Sequence, residues 1–317
     1  MKTISFRATD SSQPKITHPN AGLRRREAII GLLFLSPWLL GFILLKLLPI
    51  LYTLGYSFTN FTMTEPGKTA FVGLENYIHF ATDLKAWSSL VGSLGYFITT
   101  VPLELLVALG LATLLANKGT RLKPVWRLVV FLPSIIPVAA ISSVWMGFVD
   151  PNSGWLVRLI LMPLGLPPLA GGGGVPFLTT IMALWSIGPG FLIMYGAMLS
   201  VPNDLYDAAR VDGAGPMMRF FNITLPMISP AIFFSLVINL TGAFGGSMLL
   251  DRGFIFSESL SPMEGYINQV MFSYSRLGYA SALAWVMFGV TMTITIIIFR
   301  SARRWVYFPD EGRHETF

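Results

Sequence analysis

Long apolar runs dominate the chain, and their length decides what kind of element they form. Six appear: Ile29 to Tyr56, Leu90 to Ala116, Leu128 to Phe148, Phe177 to Leu199, Pro230 to Leu250 and Ala280 to Phe299. A helix needs about 20 apolar residues to cross a hydrocarbon core of about 30 Å, and each run reaches that length. The runs are continuous rather than alternating and too long for barrel strands of about 10 residues, so the pattern predicts helices. Only the first two contain a charge, Lys46 and Glu104. Between the first two runs, Leu74, Tyr77 and Ile78 recur at helical spacing beside Glu75 and Asn76, which predicts a short amphipathic helix at the outer interface. The interval from Asp150 to Pro176, with Pro151, Pro163, Pro167, Pro168 and the glycines 171–174, predicts a loop without a folded domain of its own.

Composition turns six apolar helices into a membrane protein. Of 317 residues 53% are hydrophobic and 12% charged, against about 25% charged in a soluble domain, and mean hydropathy is +0.64. The expected fold class is an all-α integral membrane protein with six transmembrane helices. A soluble, disordered or fibrous chain is excluded. With Cys at 0 there is no disulfide framework, Cys-zinc site, thiol nucleophile or iron–sulfur ligation.

The net charge of +6 invites a nucleic-acid reading, but the distribution favours a record of orientation. Sixteen of the 22 lysines and arginines fall on the side of the termini, among them Arg24, Arg25, Arg26, Lys118, Arg121 and Lys123, against five on the other side. Both termini are therefore expected in the cytoplasm, with no nucleic-acid partner. Arg24 to Arg26 resemble a signal-peptide n-region, yet the run behind them is too long and lacks a small-x-small cleavage site, so a retained first helix is expected. The domain organisation expected is a mobile cytoplasmic segment at 1–23, a six-helix membrane domain at 24–308, and a cytoplasmic tail at 309–317.

Catalytic signatures are near misses. Gly67, Lys68 and Thr69 resemble the end of a phosphate-binding loop, but Thr62 stands where its first glycine belongs. Ser93, between Gly92 and Gly95, misses nucleophile-elbow spacing by one residue. His18, His79 and His314 all lie outside the runs, leaving no intramembrane metal cluster. No enzyme activity, cofactor or metal is expected in this chain. Lys46 sits toward the outer end of its helix, where a lysine snorkels to the headgroups. Glu104 lies nearer mid-bilayer and must be protonated, paired across helices or facing a wet cavity. An ion-coupled secondary transporter would show several such charges or helices broken in matching halves, and it stands as the alternative reading.

The interval from Val201 to Pro230 carries the densest local signal. Pro202 and Asn203 start a helix, Asp204 and Asp207 sit where its dipole favours acids, and Gly213 is placed for a C-terminal stop. Leu205, Ala208 and Ala209 form a small apolar face, and Asp207 and Arg210 are spaced i, i+3. Met217, Met218, Phe220 and Phe221 follow as an apolar cluster, either a docking surface or packing under the helix bundle.

These residues resemble a family. Asp207-Ala208-Ala209-Arg210-Val211-Asp212-Gly213-Ala214, then Phe220, Ile223, Leu225-Pro226 and Pro230, is similar to the EAA loop of permease subunits of ATP-binding-cassette (ABC) importers. Phe71 to Tyr77, Gly278 to Ala282 and Arg304 to Tyr307 are similar to the carbohydrate-uptake branch, specifically its maltose- and glycerol-phosphate-type first permease. The resemblance covers roughly 24–308. Asp207 departs from the usual glutamate, and Leu250-Asp251-Arg252-Gly253 stands where a threonine- and glycine-rich turn is common. The resemblance implies a sugar importer of the cell membrane with a second, non-identical permease, two ATPase subunits that hold ATP and Mg, and an extracytoplasmic solute-binding protein. It assigns Asp204, Leu205, Asp207, Ala208, Ala209, Arg210, Asp212, Gly213, Phe220 and Phe221 to ATPase coupling through a cytoplasmic helix between the fourth and fifth spans. Sugars need hydrogen-bonding groups and aromatic faces in a narrow passage, which makes Asn239, Thr241, Trp145, Tyr195 and Glu104 the pore candidates. The other reading of Asn239 and Thr241 is that they stitch neighbouring helices together.

Overall fold

The structure, a computed structural model, describes residues 21–117, 119–150, 153–165, 174–245 and 263–307. The expectations for the segment before residue 21, for Lys118, for the glycines 171–173, for the turn at 250–253 and for the tail after 308 lie outside the described residues. The chain forms two units that divide between Tyr52 and Thr53. The first is helical: α1 (Ala21–Phe42) runs through one π-helical turn, Ile43–Leu47, into α2 (Leu48–Ser57), whose end belongs to the second unit. Lys46 falls within the π turn.

The second unit is also helical. Among the described residues the extended pairing amounts to one bridge, Thr59 to Phe71. After α3 (Glu75–Thr82) comes α4 (Leu84–Ala116), 33 residues long. The side chain of Asp83 caps α4 by accepting the N–H groups of Lys85 and Ala86 at 2.9 and 3.1 Å, satisfying two donors that a helix start leaves without partners. The buried stripe of α4 runs through Ala86, Ser89, Leu90, Ser93, Thr100, Val101, Ala108, Ala112 and Leu115. This is the 3–4 residue spacing of one helix face, mostly in small residues that let neighbours approach closely. Glu104 lies three residues past Val101 and four before Ala108, so the same periodicity turns it inward.

Three described helices are long and apolar enough to cross a membrane: 29–57, α4, and the last helix, at 277–305. A fourth candidate is bent by 62° between Pro216–Met227 and Ser229–Phe244. The third and fourth apolar runs of the sequence are each split. The third comprises α5 (Lys123–Phe131), a 3₁₀ turn at Leu132–Ile135 holding Pro133, and α6 (Val138–Val149), with Pro137 just before it. The fourth comprises α7 (Gly174–Trp185) and α8 (Gly188–Ser200), parted at Ser186-Ile187 where Gly188 and Pro189 follow. Proline removes a helix donor and crowds the preceding turn, and glycine favours unwinding. Composition gives these runs their apolar length, while the Pro and Gly positions decide that the helix is interrupted.

Beyond them lie α9 (Asn203–Val211), α10 (Pro216–Arg219), a π turn at Phe220–Thr224, α11 (Leu225–Met227), α12 (Ser229–Gly245), α13 (Met263–Asn268) and α14 (Leu277–Trp305). Two buried clusters form along α4. One gathers Ala86, Leu90 and Val101 with Leu240 and Phe244 of α12, Met263 and Tyr266 of α13, and Tyr279 and Leu283 of α14. The other gathers Ala108, Ala112 and Leu115 with Phe191, Met194 and Met198 of α8 and Ile228. Leu105 packs against both.

Candidate functional site

A cavity of about 230 Å³ opens where the two clusters meet. Its wall takes Tyr96, Val101, Glu104 and Ala108 from α4, Ala183 from α7, Ser186 and Ile187 from the break, Pro189 and Gly190 from α8, and Asn239 and Ala243 from α12. An interrupted helix at membrane depth is tolerated where it lines a cavity or is buried in protein, because the freed backbone groups need polar partners. The break is also braced from behind. Ser134 Oγ lies 3.5 Å from the Ser186 carbonyl, and a side chain at Gly188 would meet Ser134 Oγ and the Phe131 Cα at 2.6 and 2.9 Å. The interruption of the third run therefore packs against the interruption of the fourth.

Of the five pore candidates, Glu104 and Asn239 come together on this wall. The other three lie elsewhere. Tyr195 is buried in the α8 cluster, stacked on Phe191 at 5.8 Å with the Arg127 guanidinium 5.6 Å over its ring. Trp145 meets Phe148 and Trp185 edge-on at 5.7 and 5.9 Å. Thr241 is exposed and donates to the Ile238 carbonyl at 2.6 Å. Ser186 and Tyr96 line the cavity although the sequence does not single them out. The available signal for Ser186 was its place before Ile187-Gly188-Pro189 in an otherwise apolar run.

The second site is α9 and its stop. Gly213 has φ +75°, the left-handed conformation glycine adopts without steric cost. The Ala214 N–H reaches the Ala209 carbonyl at 2.9 Å and the Gly213 N–H reaches that of Arg210 at 3.1 Å. This six-to-one and five-to-two pair is a Schellman stop. Arg210 bonds Asp207 at 2.7 Å with both side chains largely in solvent, a pair worth at most about 1 kcal/mol. Tyr206 bonds Thr224 at 2.8 Å, tying α9 to the turn that precedes the bend. Asp204, Leu205, Ala208, Asp212 and Phe221 are exposed, Ala209 and Phe220 half-buried. Met217 and Met218 are exposed as well, while Phe220 and Met217 line an apolar groove with Leu106, Leu109 and Leu114 of α4.

At the opposite end of α4, one carboxylate joins three helices. Asp83 Oδ2 accepts the hydroxyls of Tyr266 (α13) and Tyr279 (α14) at 2.7 and 2.6 Å. Burial alone would raise this carboxyl, but the bonds from the two tyrosines and from the N–H groups of Ala86 and Lys85 outweigh it and hold it below the ordinary value of 3.8. Burial and the bond to Asp83 raise the Tyr266 phenol. Lys85 Nζ donates to Gln269 Oε1 at 3.0 Å, and the Met263 N–H donates to the buried Ser93 hydroxyl at 2.8 Å. The Asn76 amide donates to the carbonyls of Ser57 and Thr59, and Gly278 donates to the Phe61 carbonyl, where a side chain would strike that of Thr59. Two motifs of the resemblance, at 71–77 and 278–282, thus lock one platform. The third closes the far end: Val306 is buried, Trp305 meets Phe233, and the Tyr307 N–H donates to Ser229 at the bend.

The protein is thus a helical bundle with an interrupted apolar run at a cavity and a capped, solvent-exposed helix. Residues 105–307 match the family described as the inner membrane component of binding-protein-dependent transport systems. The chain belongs to this family. The probable ABC transporter permease protein YesP of Bacillus subtilis (strain 168) is 32% identical over 90% of this chain and 94% of its own length. The arabinooligosaccharides transport system permease protein AraP of the same organism is 27% identical over 84% of this chain and 86% of its own. The permease also shares its fold with a chain of the bacterial alginate ABC transporter, solved in complex with an alginate pentasaccharide-bound periplasmic protein. The TM-score is 0.72 at 18% identity, covering 89% of this chain and 96% of that one. The permease is therefore a membrane transport component rather than an enzyme, which removes the ion-coupled carrier as the alternative.

Proposed function

We propose that this permease is one of two non-identical membrane subunits of an ATP-driven sugar importer in the cell membrane, with six spans and both termini in the cytoplasm. An external solute-binding protein delivers the solute, and two ATPase subunits holding ATP and Mg supply the energy. The sugar class is supported by the similarity to AraP, a permease of an arabinooligosaccharide transport system. The orientation is supported by the excess of lysine and arginine on the side of the termini. In this account the solute passes the cavity at Glu104 and Asn239, and α9 docks into a cleft on the ATPase. ATPase closure then moves α9, the bend at Ile228 and α12 together, a rigid-body motion that switches access to the cavity.

The observation that carries the reading is the geometry of α9. It is a nine-residue helix with exposed Leu205 and Ala208, ended by Gly213 at positive φ with open space around it. Such a stop fixes the angle of the helix without packing it away, which suits a lever better than a core element. Gly213→Val and Asp207→Lys should each leave the protein inserted and assembled with its partner permease while abolishing hydrolysis stimulated by the binding protein. Purified complexes that keep stimulated hydrolysis and sugar uptake would exclude this loop as the coupling site.

A further inference from the structure

The cavity wall has a sign. It carries one carboxylate, Glu104, one amide, Asn239, and the hydroxyls of Tyr96 and Ser186, and its described lining residues include no lysine, arginine or histidine. An anion entering such a space gives up hydration that is costly to replace without a cation or a dense set of donors. The nearest substitute is the first turn of α8, whose Pro189 and Gly190 reach the wall. A helix start is equivalent to about half a positive charge, and Pro189 contributes no N–H to it. Glu104 offsets that half charge when ionised, so the α8 start is open to an anion only where position 104 is neutral.

A neutral polyol fits the same groups. Its hydroxyls can donate to the Glu104 carboxylate and the Asn239 carbonyl oxygen and accept from the Asn239 amide. Val101, Ala108 and Ala243 offer apolar surface to its C–H faces. The volume of about 230 Å³ is below the roughly 300–1,000 Å³ of drug-sized sites, so it suits a small solute or one ring of a longer one. We propose that this cavity selects uncharged polyhydroxy solutes against anionic ones, with Glu104 as the residue that sets the discrimination. The proposal rests on the assignment of the cavity as the solute passage.

The test uses the complete transporter, with partner permease and ATPases, in nanodiscs. Neutral di- and trisaccharides of glucose, galactose and arabinose are titrated by equilibrium dialysis, and whichever binds is compared with the same sugar oxidised to a terminal uronate. The expected result is uronate binding at least tenfold weaker, falling to within about threefold of the neutral sugar in Glu104→Gln and staying tenfold in Glu104→Asp. Equal binding of the two sugars to the wild-type complex, or an unchanged ratio in Glu104→Gln, would overturn the proposal. If Glu104→Gln does not assemble, the wild-type ratio decides. The two readings separate: binding lost in Asn239→Ala but indifferent to solute charge sinks only the charge selection. Absence of any sugar binding, or binding unaffected by Asn239→Ala, sinks the cavity assignment and this proposal with it.

Discussion

Two carboxylates between the apolar runs have opposite fates. Asp83 is surrounded by donors and held ionised, whereas Glu264 on α13 has a buried Oε2 with no hydrogen-bond partner, and burial pushes it up to about 7. The signs follow. A depressed carboxyl adds stability that is present above its unfolded value and lost as pH falls, so the Asp83 contribution disappears below pH 3.8. A raised one favours the fold below the unfolded value of 4.5 and loses that effect as pH climbs through about 7. Glu264→Gln should therefore stabilise the assembled complex at pH 8 by about 1 kcal/mol, a figure reduced for the part of Glu264 open to solvent. The gain should vanish near pH 4.5, as read by thermal unfolding of both proteins across pH. A destabilised variant at pH 8 would contradict the burial of this group. Neither residue stands out in the sequence. Asp83 lies seven positions before the apolar run as composition defines it, and Lys85, Ser88 and Ser89 hide the cap that starts the helix at Leu84.

At the scale of elements, local rules read well and long-range packing does not. The α9 helix was legible because its start, acids, stop and i, i+3 pair all lie within a dozen residues, and Gly213 adopts the positive φ its position calls for. Hydrophobicity counting passes over the split of α7 from α8, which Gly188-Pro189-Gly190 marks, because it ignores backbone punctuation. Chemistry alone makes Tyr195 and Trp145 pore candidates, whereas the packing of α8 on α4 and α5 turns Tyr195 toward protein rather than the cavity. Because Gly188 packs against the backbone of Phe131, Gly188→Val should cost about 1–3 kcal/mol by overpacking. Assembly yield and thermal unfolding measure this, with Gly190→Val, where no neighbour lies within 4 Å, as the benign control. Equal behaviour of the two variants would contradict the contact between the helix breaks.

Across the whole molecule, α4 connects the three places that matter. Its start is fixed by Asp83 to α13 and α14, its middle bears Glu104 on the cavity, and its last turns wall the apolar groove that Phe220 and Met217 also line. Rigid elements of this kind carry motion between distant sites when each end has two arrangements. The central claim is that α9 lies on the cytoplasmic side and couples to an ATPase there. The natural chain has Cys at 0, so a single cysteine reports without background. Ala208 is exposed on α9 and suits the label. In cells lacking the ATPase subunits, Ala208→Cys should react with a membrane-permeant maleimide and resist an impermeant one, and in inverted vesicles from those cells the impermeant reagent should label it until the ATPase is bound. Labelling of intact cells by the impermeant reagent, or no protection by the bound ATPase, would contradict the account.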